Sequence, residues 1–146
     1  MGDDYDDRYI YRFVRGQGFK NDRVECPDLS GAFLAFDRGS LFLSQAHNRK
    51  ILKLDDRGAV TRKIQLDRVP VGMTTVDGRF YLITGDKAFK NLQFTRLEVD
   101  GETHHLTSLA SIPFVARGLT FDGSHFWTAD RDKNEVVAFT TPGTPE

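Results

Sequence analysis

Apolar residues along this chain fall in short runs, nearly all shorter than ten residues between turn signals, and no stretch keeps helical period over a convincing length. An all-β fold is the expectation. Three of these runs follow an Asp-containing turn. They are Phe36-Asp37-Arg38-Gly39-Ser40-Leu41-Phe42-Leu43, Val76-Asp77-Gly78-Arg79-Phe80-Tyr81-Leu82-Ile83 and Phe121-Asp122-Gly123-Ser124-His125-Phe126-Trp127-Thr128. The Asp residues lie 40 and then 45 positions apart, a period typical of stacked or radially arranged β units that bury their faces against neighbours.

Aligned on the Asp turn, the copies give a four-strand unit. Strand A leads into the turn (31–36, 72–76, 118–121). Strand B, rich in aromatic and β-branched residues, leaves it (41–44, 80–84, 126–129). After a polar loop, strand C alternates and ends at a Gly turn (51–55, 94–99, 136–140), and strand D follows twice (59–66, 102–109). Near the N-terminus, 9–14 reads as another C and 19–25 as another D. The predicted organisation is an acidic N-terminal stretch (1–8) and a single domain over 9–143. Its parts are strands completing a blade (9–25), two blades (31–66 and 72–109) and a partial blade (118–143).

Four-stranded sheets at this period are β-propeller blades, of which 4 to 8 normally close a ring. The run Gly-Leu-Thr-Phe-Asp-Gly-Ser-His-Phe-Trp-Thr-Ala-Asp over 118–130, followed by Asn134-Glu135-Val136-Val137-Ala138-Phe139, resembles blades of a six-bladed propeller superfamily. That superfamily includes NHL-repeat, TolB-like, SMP-30 gluconolactonase-like and glutamine cyclotransferase-like proteins. The resemblance covers 31–143 as repeat pattern and implies a fold rather than a site. About three blades per chain would leave sheet faces and edges open, so a homodimer that closes six blades and exchanges N-terminal strands is expected. The alternative is a piece of a longer propeller. The additional C-like strand at 9–14 has no place in a simple half-ring.

Composition narrows the partners. The chain's 146 residues suit one domain, and 39% hydrophobic content with 12 Phe supplies core material. Its 20 basic and 21 acidic residues leave no basic field for nucleic acid. No apolar run approaches membrane-spanning length, and the N-terminus lacks both the signal-peptide form and the Ser or Thr of a myristoylation signal, Asp6 standing there. With Cys26 as the single cysteine, a cytoplasmic protein is expected. The acidic Gly2-Asp3-Asp4-Tyr5-Asp6-Asp7 stretch reads as a solvated end rather than a cation site.

Propeller geometry sorts the polar residues onto two faces. Asp37, Asp77, Asp122 and His125 belong to A-to-B turns, where Asp serves the backbone. The B-to-C loops and D-to-A linkers share the opposite face, at the channel mouth. They carry the ligand-binding candidates His47, Lys87, Asp130, Arg68 and Arg117, with Asn48, Arg49, Asp86, Lys90, Arg131, Asp132 and Asp28 nearby in sequence. Arg117 immediately precedes an innermost strand, where a long cation could clamp a carboxylate or phosphate.

Other chemistry finds little support. Lactonases of the resembled superfamily hold a divalent ion with Glu, Asn and Asp in the channel, but no strand A here opens on a carboxylate. His104 and His105 are adjacent on an outer strand and so face opposite sides. Cys26 has no His near it in the repeat. No cofactor or metal is expected, and no catalytic residue stands out. Sugar stacking on Phe80, Tyr81, Phe126 or Trp127 competes with their use in the core. The leading expectation is a non-catalytic module binding a small molecule or protein. The alternative is a hydrolase, lyase or cyclotransferase with Arg117, His47 and Asp130 at the channel mouth.

Overall fold

The computed structural model describes residues 9–142, so the acidic stretch 1–8 and Gly143 lie outside the described residues. The described residues are all-β apart from a short 3-10 turn at Pro27–Leu29. Among the described residues no helix is long and apolar enough to cross a membrane. Among the described residues, thirteen strands form four antiparallel sheets in which successive strands are neighbours. A hairpin of β1 (Tyr9–Val14) and β2 (Gly18–Glu25) comes first. The first full blade is β3 (Phe33–Asp37), β4 (Ser40–Gln45), β5 (Lys50–Leu54) and β6 (Val60–Gln65). The second is β7 (Val69–Val76), β8 (Arg79–Gly85), β9 (Gln93–Asp100) and β10 (Thr103–Ser111). The last sheet holds β11 (Ala116–Phe121), β12 (Phe126–Asp130) and β13 (Glu135–Phe139).

Strand alternation divides the apolar residues between successive inter-sheet cores. In β8, Phe80 and Leu82 face the first blade while Tyr81 and Ile83 face the last sheet. Between the full blades lie Phe42, Ile51, Leu66, Met73, Phe80, Leu82 and Leu97, with the Phe42 and Phe80 rings edge to face at 4.7 Å. Between the second blade and the last sheet, Phe94 stacks with Tyr81 at 5.7 Å and meets Phe126 and Phe139 edge-on. Each such ring pair contributes about 0.5–1.5 kcal/mol beyond burial alone. The sugar-stacking reading therefore loses Phe80, Tyr81 and Phe126, all buried in these cores. Trp127 is half-buried, and its indole N–H donates to Asp122 at 2.7 Å.

The hairpin occupies the position of a preceding blade. Ile10 packs against Leu43, Leu52 and Leu54, and a Cβ added to Gly58 would lie 2.0 Å from Val24. Cys26 is buried in the same layer. Desolvation, then the charge of Glu25, raises its thiol pKa, as befits a small hydrophobe.

The innermost strands start earlier than the sequence pattern suggests in two units. Val69 and Pro70 already pair with Gly85 and Thr84, and Ala116 and Arg117 with Asp130 and Ala129. Gly72 and Gly118 thus adjoin bulges inside strands rather than opening them, and Gly118 has φ 78. Arg117 sits within β11 for this reason.

The Asp turns differ in detail. In the first, Arg38 and Gly39 take positive φ; in the second, Asp77 and Gly78 do, as tight two-residue hairpins require. In the third, Asp122 instead accepts the Ser124 and His125 backbone N–H groups at 2.8 and 2.7 Å.

Candidate functional site

The B-to-C loops are built on local polar caps. In the first blade, fully buried Gln45 donates to the carbonyls of Pro27 and Ser30 at 2.8 and 3.0 Å and accepts from Asn48 at 3.3 Å. Asp130 stands at the same place in the last sheet. It is buried, and it accepts the Asp132 and Lys133 backbone N–H groups at 3.1 and 3.3 Å. Each of these loops then turns through a left-handed residue, Arg49 or Asn134, into the next strand. Asp130 is thus occupied in shaping its turn.

In the second blade the loop after β8 is wound tightly about Asp86. One carboxylate oxygen accepts the Ala88 and Lys90 N–H groups, both at 2.9 Å, and the other accepts from the Asn91 side chain at 2.7 Å. The Lys90 N–H, followed by the Asn91 amide, holds this carboxyl below its ordinary range. Arg68 braces the same loop, donating to the Thr84 hydroxyl at 3.1 Å and to the carbonyls of Thr84 and Asn91. This places Arg68 in support of the loop.

The scaffold presents Phe89, a half-buried aromatic at φ 61. A left-handed conformation is costly for a bulky side chain and persists only where surrounding bonds impose it. The His47 ring meets Phe89 edge-on at 5.7 Å, and the Arg117 guanidinium carbon lies 5.3 Å from its centroid. His47, Arg49, Lys87, Val69 and Phe89 line a hollow of about 260 Å³. Three of the five sequence candidates, His47, Lys87 and Arg117, are therefore gathered around one ring, while Arg68 and Asp130 hold the loops beside it.

Among the described residues, no carboxylate forms a salt bridge with His47, Arg49, Lys87, Arg117 or Arg131. Burial, followed by the positive charge of Arg131, lowers the Arg117 pKa from its ordinary value. Its guanidinium donates only to the Ala116 carbonyl, at 3.1 Å, among the hydrogen bonds of the described residues. Phe89 was absent from the sequence candidates. Its signal is a single aromatic in the mostly polar Asp86-Lys87-Ala88-Phe89-Lys90-Asn91 loop, meaningful only once the loop's winding is known.

Among the described residues no group of three or more His, Cys, Asp or Glu side chains could hold a metal ion. His104 and His105 are both exposed on β10.

No protein-family model matches the chain, and no curated protein does. Among solved structures it is similar to selenomethionine-substituted virginiamycin B lyase from Staphylococcus aureus, with 15% identity and a TM-score of 0.52. The match covers 90% of this chain and 59% of that one. At that identity the likeness shows a propeller-like fold alone.

Proposed function

We propose that this chain is a non-catalytic binding module, a partial β-propeller that a second copy closes into a ring, with its ligand face at the B-to-C loops. The observation carrying the binding role is the gathering of His47, Arg49, Lys87 and Arg117 around Phe89 on loops braced by Asp86 and Arg68. Closure is supported by the open ends. Phe19 is 73% and Phe36 66% exposed beside the hairpin, Val136 is 69% exposed on β13, and no strand among the described residues pairs with the outer edge of β13. The proposed compartment is the cytoplasm, in keeping with a single buried Cys26.

An enzyme is the second reading, resting on the Arg117 guanidinium and the His47 ring that both approach Phe89. In it, Arg117 and His47 would act beside Phe89; Asp130, engaged in its own turn, is the weak member of that set.

A screen of small-molecule ligands by amide-resolved NMR, with recovery and mass analysis of each hit, tests the binding role. A hit that shifts the Asp86–Asn91 and His47 resonances and is recovered unchanged is expected; conversion of the hit would overturn the non-catalytic reading. Light scattering tests closure, with a stable dimer expected and a stable monomer or disordered aggregate counting against it.

A further inference from the structure

The hollow around Phe89 has two properties that constrain its occupant. Its floor is apolar, made of Val69 and the Phe89 ring; its rim carries the cations Arg49 and Lys87 beside the His47 ring, and a third cation, Arg117, lies over the Phe89 ring from outside the lining. None of these cations is matched by a carboxylate salt bridge among the described residues. The nearest carboxylate in sequence, Asp86, accepts three hydrogen bonds from its own loop. A volume of about 260 Å³ lies just under the usual range for small-molecule pockets.

We infer that this hollow binds a small organic oxyanion: a compact apolar body packed on Phe89, with a carboxylate or phosphate group held by the lining residues Lys87 and Arg49 and reached by Arg117 from the same ring. The inference rests on the binding reading above and adds the ligand's chemical class. Three physical considerations converge on it. Cations gathered without salt-bridge partners among the described residues repel one another, so an anion gains from all of them at once. Arginine presents a planar fork of donors that suits carboxylate and phosphate oxygens, and the Arg117 fork has most of its donors free of protein partners among the described residues. The left-handed backbone at Phe89 is the kind of local strain that accumulates where a side chain must be held in place for a ligand. A neutral sugar would leave the cations uncompensated, and a cationic ligand would meet them directly.

Four probes separate the contributions in NMR titrations of the full chain: benzoate, phenyl phosphate, inorganic phosphate and benzyl alcohol. Benzoate or phenyl phosphate is expected to shift the amides of His47, Lys87, Phe89 and Arg117 at least tenfold more tightly than benzyl alcohol, a ratio fitting one charge-assisted hydrogen bond. Whichever of the two binds tighter identifies carboxylate or phosphate as the preferred group, and inorganic phosphate, lacking the apolar body, is expected to bind more weakly than phenyl phosphate. Arg117→Ala should weaken the anionic probe about tenfold, and Lys87→Ala, at an exposed loop position, should act in the same direction even if the first variant folds poorly. Lys63→Ala, at an exposed position of β6, should change nothing. Equal affinity for benzyl alcohol and the anions at these residues would overturn the oxyanion assignment while leaving a binding face intact. Absence of localised shifts with all four probes, together with no hit at this face in the broader screen, would overturn both.

Discussion

Asp122 shows how much one exposed side chain can organise. Its carboxylate accepts the His125 N–H, the Trp127 indole N–H and the Ser124 N–H, in falling order of influence, and its pKa is lowered to about 2. These donors favour the charged form in the folded chain only, so their stabilisation is complete above the ordinary carboxylate pKa of about 4. It is lost as pH falls from there through about 2. Because Trp127 is the only tryptophan, its fluorescence should report that loss directly. An acid titration of the wild type should show a change in this window that Asp122→Ala lacks; identical profiles would refute the linkage. The same residue type does different work elsewhere: Asp77 supplies a left-handed backbone, and Asp86 and Asp130 cap loops.

Among the elements, the contact between innermost strands is the least forgiving. A Cβ at Gly72 in β7 would lie 2.8 Å from the Gly118 carbonyl carbon and 2.9 Å from its oxygen in β11. Backbone cannot rotate away as a side chain can. Gly72→Ala is therefore expected to cost about 1–3 kcal/mol, the usual range for overpacking. A lowered urea midpoint with an unchanged slope would show it, whereas an unaltered midpoint would mean that the two strands slide apart freely. The sequence repeats marked Gly72 and Gly118 as recurring, but read them as strand starts. Their true place follows from the extra residues each bulge absorbs, which no period-2 pattern reveals.

At the scale of the whole molecule, the open ends of the sheet array dominate. Phe13, 60% exposed, and Phe19 form an edge-to-face pair at 5.2 Å on the hairpin. Since these rings lie outside the three buried core clusters, Phe19→Ser should leave folding intact. It should also shift the proposed dimer toward monomers of 16.6 kDa in light scattering, measured at matched concentration. Unfolding of the variant would instead place Phe19 in the core, and an unmoved dimer would place the contact elsewhere.

The sequence by itself determined the all-β class, the four-strand units and the order in which they follow. Each depends on neighbours along the chain: alternation, turn residues and a repeat of about 40 positions. It also placed His47, Lys87 and Arg117 on one face, since loop position follows from strand order. Only the tertiary structure decided which of those residues meet. His47, Phe89 and Arg117 belong to three different sheets, and their approach depends on inter-sheet packing and on the winding of one loop about Asp86. Charge and chemistry are written locally, whereas the distance between residues far apart in the chain is fixed by the cores beneath them.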